Sequence, residues 1–266
     1  MDFRLLETID EIKDCERIEQ AVWGLEDLDL VPAASIVAAV HAGGLVVGAF
    51  EQDEMIGFVY GIASFQPEWP KANGLHSHML AVLPPYRGKG LGKALKWFQR
   101  DWCLNKGYAW MTWTYDPLQA KNAKLNLEHL GATATIYRIN EYGLMGGSLN
   151  ADLPTDRLLA YWDLSDPRVQ QLADGKPLEP LSLSNVPKVL ESIAGHPGKP
   201  VLDENAPQLQ AEIPENLNEL LQKAPQLALE WRMALRETLL HYLAKGYSLT
   251  RFLEGSYLLE LSQEVI

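Results

Sequence analysis

Apolar and polar positions recur along this chain with two different periods, and the points where the period changes divide it into elements. Residues 3–8 (FRLLET) read as a short strand, and 9–24 as a helix with Ile12, Cys15, Ile18, Ala21 and Val22 on one side. Pro32 stands at a first helical position and predicts a second helix over 33–42. Two apolar β-rich runs, 45–50 and 55–65, flank the polar turn 51–54 and predict a hairpin. A loop rich in Pro, Trp and Gly (66–74) leads to a strand at 75–83, which Pro84 and Pro85 stop. Over 88–106 the spacing predicts a helix whose apolar stripe is Leu91, Ala94, Leu95, Phe98 and Trp102. Lys89, Lys93, Lys96 and Arg100 then fall on its other faces, and Gly107 ends it. An aromatic and β-branched strand at 108–115, a helix at 118–130 closed by Gly131, and strands near 133–139 and 158–164 follow. That order describes a mixed α/β sheet flanked by helices, not a bundle or a sandwich.

The last third has a different texture. Pro and Gly cluster at 174–180 and 195–200. A long helix at about 226–245 carries Ala228, Trp231, Leu235, Leu239 and Tyr242 on one face, and β-like runs 247–253 and 256–261 follow Gly246. The change predicts a domain over 1–165 and a C-terminal α/β extension over 166–266. A faint echo links the two parts. Residues 80–84 (LAVLP) resemble 210–214 (QAEIP), and 106–108 (KGY) match 245–247, each pair bracketing a helix. The echo reads either as coincidence or as a degenerate half-copy without the Arg and Gly-rich loop.

A formal net charge of -12 over 266 residues sets long-range repulsion against nucleic acid and against an anionic membrane as partners. Cys15 and Cys103, the two cysteines, have no CxxC spacing and predict free thiols in a reducing compartment. The N-terminus lacks a basic segment followed by an apolar run, and no apolar stretch reaches 18 residues, so a cytoplasmic protein is expected.

Against this acidic background the run from Val82 to Leu95 (VLPPYRGKGLGKAL) stands out. A strand enters a glycine-rich turn that opens directly into a helix. First-turn amides and the helix dipole favour an anion there, and Arg87, Lys89 and Lys93 add charge. The P-loop spacing fails because Gly88 to Gly92 is one residue short and Ala94 stands where Ser or Thr is needed. The dinucleotide pattern fails at its final glycine. A purely structural strand-to-helix turn is the competing reading of the glycines alone.

Arg87-x-x-Gly90-x-Gly92, after a strand ending Leu80-Ala81-Val82, resembles the acyl-CoA signature of the GNAT superfamily of N-acetyltransferases. Residues 76–157 further resemble a branch of predicted acetyltransferases, through Ser77-His78-Met79, Asp116-Pro117-Leu118, Asn122, Asn126, Leu130-Gly131-Ala132, Tyr142-Gly143 and 153–157. The resemblance implies a GNAT fold for 1–165 and binding of acetyl-CoA or another acyl-CoA as co-substrate. Amides from Gly88, Lys89, Gly90, Leu91, Gly92 and Lys93 would hold its diphosphate. Strand residues Leu80, Ala81 and Val82 would splay from strand 108–115 to admit the pantetheine arm, with Asn122 and Asn126 as further contacts. The acyl group would pass directly to an amine in a ternary complex. Leu127 occupies the position where many members carry the tyrosine that protonates the thiolate, so Tyr115, Tyr137, Tyr142 or solvent would take that part.

His76 falls near the strand position where relatives place a base, and His78 is two residues on. An imidazole suits removal of an ammonium proton. The alternatives are a pair of structural histidines, or a metal site that lacks a third ligand of suitable spacing. Asp116 reads as an orienting group or base, or as a helix cap. Asp156-Arg157 reads as an internal ion pair or as a clamp for an acceptor carboxylate. The tryptophans and Cys103 read as core. The resulting expectation is a small-molecule amine or amino acid as acceptor, no metal, and an extension that covers the acceptor site or forms a homodimer interface. A non-catalytic acyl-CoA sensor and a His-based metal-dependent hydrolase are the rival classes.

Overall fold

The computed structural model describes residues 1–67, 69, 71–143 and 153–261. Glu68 and Pro70 of the predicted loop 66–74, and residues 262–266 of the predicted extension, lie outside the described residues. The chain forms two compact units: Met1–Trp113 with Asp163–Asp166, and the remainder from Thr114 onward. The division falls inside a strand, so the later part of the predicted 1–165 region packs with the C-terminal segment.

The first unit begins with β1 (Asp2–Leu5), α1 (Ile9–Trp23) and α2 (Ala33–His41). A capping box starts α1: the Thr8 hydroxyl accepts from the Glu11 amide, and the Glu11 carboxylate accepts from the Thr8 amide. Strands β2 (Leu45–Glu51), β3 (Glu54–Phe65) and β4 (Asn73–Val82) follow, then α3 (Leu91–Asn105) and β5 (Trp110–Tyr115). The order β1-β2-β3-β4-β5 is antiparallel except for the last pair, where β5 runs parallel to β4. Ile12, Cys15 and Ile18 of α1 and Ile36 of α2 pack on Val46, Phe50, Phe58, Tyr60, Met79 and Ala81 of the sheet. The opposite face receives α3.

Two details depart from the sequence pattern. The strict period of two predicts that His76, His78, Leu80 and Val82 share a face. In the structure Tyr60 pairs with Met79 and Gly61 with Ser77, leaving His78 as the extra residue of a bulge. Alternation reverses there: Ser77 and Leu80 face α3, whereas Met79 and Ala81 join the α1/α2 core. The buried face of α3 is also rotated from the predicted stripe. It carries Leu91, Leu95, Lys96, Gln99, Arg100 and Cys103, because Lys96 and Arg100 find polar partners inside the unit and their long stems are apolar.

The second unit holds the end of β5, α4 (Ala120–Lys124), a π turn (Leu125–His129), β6 (Thr133–Arg138) and β7 (Arg157–Asp163). Next come α5 (Pro167–Ala173), β8 (Lys188–Leu190), β9 (Ser192–Ile193), β10 (His196–Pro197) and β11 (Gln208–Glu212). Helices α6 (Leu217–Lys223) and α7 (Pro225–Ala244) precede β12 (Tyr247–Leu253) and β13 (Ser256–Leu261). Its strands run β7-β6-β12-β13-β11-β8, and β9 and β10 form a separate hairpin. The predicted face of α7 is buried through Ala228, Trp231, Leu235, Leu239 and Tyr242. The echo in sequence does not extend to pairing. β4 and β5 are direct parallel neighbours, whereas β13 lies between β11 and β12. Among the described residues no helix is long and apolar enough to cross a membrane.

Glu19 lies fully buried in α1 and accepts the Val31 amide through Oε2, while its Oε1 has no hydrogen-bond partner. Burial, opposed by that amide and reinforced by Glu16, pushes its carboxyl up to about 7 from 4.5. The folded chain therefore holds this proton more tightly than the unfolded chain, and stability falls as pH rises from 4.5 to about 7. Glu19→Gln should remove that fall. Urea titrations should show the variant about 2 kcal/mol more stable than the parent at pH 8, the two converging near pH 5. A difference that does not change with pH would contradict this account.

Candidate functional site

The turn between β4 and α3 combines an open backbone with local positive charge. After β4, the Tyr86 amide donates to Leu83 O and the Arg87 amide to Pro84 O, forming one tight turn. The Tyr86 hydroxyl donates to Glu51 at 2.8 Å and anchors the turn to the end of β2. Gly88 and Gly90 both have positive φ, +77° and +83°, and a Cβ at either would meet no atom within 4 Å. Side chains there are excluded by backbone conformation and not by neighbouring protein atoms, so the main chain is approachable from outside. Gly90 is the N-cap of α3 and has no side-chain cap, so the amides of the first helical turn have no partner within the helix. Arg87 Nε donates to Val82 O at 3.0 Å, and Lys89 Nζ lies 5.0 Å over the Tyr86 ring. Both cations are thereby folded back beside the open amides. Leu91 is buried and holds the helix in place, Lys93 is half-buried, and Gly92 rests against Leu80.

The same unit contains a fork in its sheet. Parallel pairing of β4 with β5 runs through Gly74↔Trp110, Leu75↔Met111 and His76↔Thr112. Beyond His76, β4 continues to Val82 paired with β3. His76 Nδ1 lies 3.1 Å from Thr112 Oγ1, at the last paired position. The His76 and His78 rings are 6.1 Å apart, and His78 meets the edge of Tyr60 at 6.0 Å. His78 is solvent-accessible, yet surrounding atoms desolvate it enough to lower its pKa below the usual 6.5. It is therefore neutral, with a free lone pair, at pH 7. Among the described residues no group of three or more His, Cys, Asp or Glu side chains is arranged to hold a metal ion.

In the second unit Asp116 and Tyr142 belong to one polar cluster. Asp116 Oδ1 accepts the Leu118 amide at 2.8 Å, a local turn and not a helix cap, since α4 starts at Ala120 with Gln119 as its N-cap, and Oδ2 accepts from Arg232 at 2.6 Å. Arg157 NH1 stands 3.8 Å from the same Oδ2, and its guanidinium lies 5.3 Å over the Tyr142 ring. The Tyr142 hydroxyl is 2.9 Å from Thr114 Oγ1. Of the three tyrosines considered as acids, Tyr115 and Tyr137 are buried and burial pushes both phenols up, whereas Tyr142 is exposed. The Asp156-Arg157 ion pair does not form. Asp156 takes both its guanidinium contacts from Arg236, at 2.7 and 2.8 Å, together with the Tyr137 hydroxyl at 2.6 Å. Arg157 reaches only the Asp156 main-chain oxygen. Asn122 is exposed on α4, while Asn126 is buried in the π turn, an irregularity often found near functional positions.

Residues 6–130 match the model of the acetyltransferase (GNAT) family. No curated protein sequence matches the chain. Among solved structures, the ribosomal-protein-S18-alanine N-acetyltransferase from Escherichia coli is 19% identical, covering 62% of this chain and 94% of that one with a TM-score of 0.48. Salmonella typhimurium yncA, solved with its cofactor acetyl-CoA, is 18% identical over 62% of this chain and 95% of its own, with a TM-score of 0.48. The IAA acetyltransferase from Bacillus cereus is 14% identical over 61% and 98%, with a TM-score of 0.46. None of these likenesses transfers a residue or a substrate to this chain.

Three cations were absent from the sequence-based candidates: Lys96 beside the fork, and Arg232 and Arg236 in the second unit. Helical periodicity placed Lys96 on an outer face, and Arg232 and Arg236 lie 116 and 80 residues from their partners, so no local pattern marks them. Lys96 Nζ donates to Ser77 Oγ at 2.7 Å and lies 3.8 Å over the Trp113 ring. Ser77 and Trp113 are the residues that follow the last paired positions of β4 and β5. Burial pushes the Lys96 ammonium well below the usual lysine range, and the Trp113 face only partly offsets that cost. The folded chain thus binds this proton less tightly than the unfolded chain, so the penalty is largest at low pH and disappears as pH rises toward 10.5. Lys96→Met, which keeps the stem and removes the charge, should be about 1–2 kcal/mol more stable than the parent at pH 7. Denaturant titrations should show that gap shrinking by pH 10. A constant gap would mean that the ammonium is not under strain.

Proposed function

We propose that this chain, whose residues 6–130 place it in the GNAT superfamily of N-acetyltransferases, moves the acyl group of an acyl-coenzyme A to the amine of a small molecule or an amino acid. The observation that carries the reading is the turn from Gly88 to Gly92. It is unobstructed, has an uncapped helix start, and is flanked by Arg87 and Lys89 in a chain of net charge -12. Acidic proteins repel phosphates at long range, so a built cluster of amides and cations at one turn is best explained by an anionic ligand. The donor's diphosphate would take the amides of Gly88 to Lys93. Its amide-bearing arm would lie along Leu80, Ala81 and Val82, whose outer backbone edge β5 no longer covers.

In the reaction the acceptor nitrogen attacks the thioester carbonyl carbon. The new C–N bond forms as the C–S bond breaks, a proton leaves the nitrogen, and the thiolate takes a proton to become free coenzyme A. His78, neutral at pH 7, and His76, oriented by Thr112, are the proposed bases. Tyr142 is the proposed proton donor to the thiolate, since it is the exposed one of the three tyrosines. Asp116 would orient the acceptor, and Asn122 and Asn126 would contact the donor's arm.

Free-thiol release from acetyl-CoA across a panel of amines and amino acids tests the reaction. Release with at least one acceptor is expected, and tight coenzyme A binding without release would favour the sensor class instead. Arg87→Ala should weaken coenzyme A binding by about 1–3 kcal/mol, and Gly90→Val by more, because it both closes the approach and opposes the positive φ. Unchanged calorimetric affinity in both variants would remove this turn as the binding site.

His76→Ala and His78→Ala should each lower kcat by about 10²-fold or more with melting temperature retained. For His78 the acid limb of the parent's pH profile should lie below pH 6.5 and vanish in the variant. Equal activity would return both histidines to a structural role.

A further inference from the structure

The first unit contains a cavity that the glycine turn does not line. It holds about 810 Å³ and opens to solvent, and every lining residue belongs to that unit. Sites for small molecules fall in this size range and are apolar with a few polar groups. Leu5, Ile9, Val37, Val40, Trp102 and Tyr108 supply apolar wall. Leu5 and Ile9 are 38% and 47% exposed, so large aliphatic surface beside the cavity meets water. The wall is fixed in place. The Leu6 amide donates to Val46 O, and the capping box at Thr8 and Glu11 sets the start of α1. Where α2 and α3 end, the chain satisfies its own polar groups. The amides of Ala42, Gly43 and Gly44 bond back to the Ala38, Val40 and Ala39 carbonyls, and those of Lys106, Gly107 and Tyr108 to Trp102, Leu104 and Cys103. The Tyr108 hydroxyl donates to Gly43 O at 2.7 Å, so its polar tip is already committed. Recognition in this cavity therefore falls to apolar surface and to the charged side chains of the lining.

Lys106 is the lining charge set against the aromatic wall. Its Nζ lies 5.9 Å from the Trp102 ring centroid, and the Trp102 and Tyr108 rings are 6.0 Å apart. Flat apolar surface and a cation thus share one short segment, 102–108. The lining carboxylate, Glu7, belongs to the turn between β1 and α1 instead. We propose that this cavity binds a small molecule with an aromatic or branched apolar body and one carboxylate, which pairs with Lys106. His41, the last residue of α2, also lines the cavity and adds a second cation when protonated. The site is separate from the glycine turn, because Trp102 stands about three turns, or about 16 Å, along α3 from Leu91. The inference therefore does not rest on the acyltransferase reading.

The probe for the test is 8-anilinonaphthalene-1-sulfonate, an aromatic anion that fluoresces on leaving water, titrated with and without saturating coenzyme A. Three competitors that differ only at one end then displace it: 4-phenylbutyrate, 4-phenylbutanamide and 4-phenylbutylamine. One probe site per chain is expected, with an affinity that coenzyme A does not change. The acid should displace the probe about fivefold better than the amide or the amine, the scale of one exposed ion pair. Lys106→Gln should bring acid and amide level. Ile9→Asp sets a carboxylate in the first turn of α1, where the helix favours it, so folding should hold. It should weaken the probe and the acid about tenfold or more, because that carboxylate loses water when the cavity fills. Melting curves check both variants, and sedimentation velocity follows the oligomeric state. No probe binding, binding that Ile9→Asp leaves unchanged, or competition with coenzyme A overturns the site. An amide or amine that matches the acid, or an advantage of the acid that survives Lys106→Gln, overturns the assigned ligand class. Probe affinity that falls as a dimer forms would mean that a second copy covers the cavity, and overturns the proposal as well.

Discussion

One limit shapes the sheet of the first unit: the parallel pairing of β4 with β5 stops after His76↔Thr112. A strand edge that loses its neighbour exposes N–H and C=O groups that need partners. From Ser77 to Val82 that edge lies open on the β5 side while β3 continues to hold the other. A bulge at His78 coincides with the fork, and bulges add twist and re-aim side chains. The placement of the two histidines and the unpaired edge therefore follow from one change in pairing. Lys96 sits beneath it, touching the first residue beyond the fork on each strand.

Charge is placed against the overall trend. The chain is strongly acidic, yet cations cluster locally at two places, Arg87, Lys89 and Lys93 at the turn and Arg157, Arg232 and Arg236 in the second unit. At the turn, Arg87 and Lys89 are exposed, and water screens their charge. In the second unit the guanidiniums of Arg157, Arg232 and Arg236 are largely buried, so each missing contact costs more.

Much of the fold was legible in the residue pattern. The β2–β3 hairpin, α3, β5, α7 and the closing hairpin of β12 and β13 all lie close to the predicted spans, since each is long, periodic and bounded by Gly or Pro. The short elements were missed: α5 and α6 have seven residues each, and β8 to β10 span three residues or fewer. The helix predicted at 118–130 became α4 and a π turn, because Leu130 bonds back to Leu125, a choice that side-chain spacing does not reveal.

The sequence alone determined the turn. Arg87, Gly88, Gly90 and the helix that follows are local, and positive φ at two glycines together with an uncapped helix start follow from residues adjacent in the chain. Only tertiary structure decided which face of β4 each residue takes, that Lys96 is buried, and that Asp156 pairs with Arg236 while Arg157 stays loosely held. The reason is range. Local conformation depends on neighbours within a few residues, whereas burial and ion pairing depend on groups as much as 123 residues apart that no periodicity along the chain brings together.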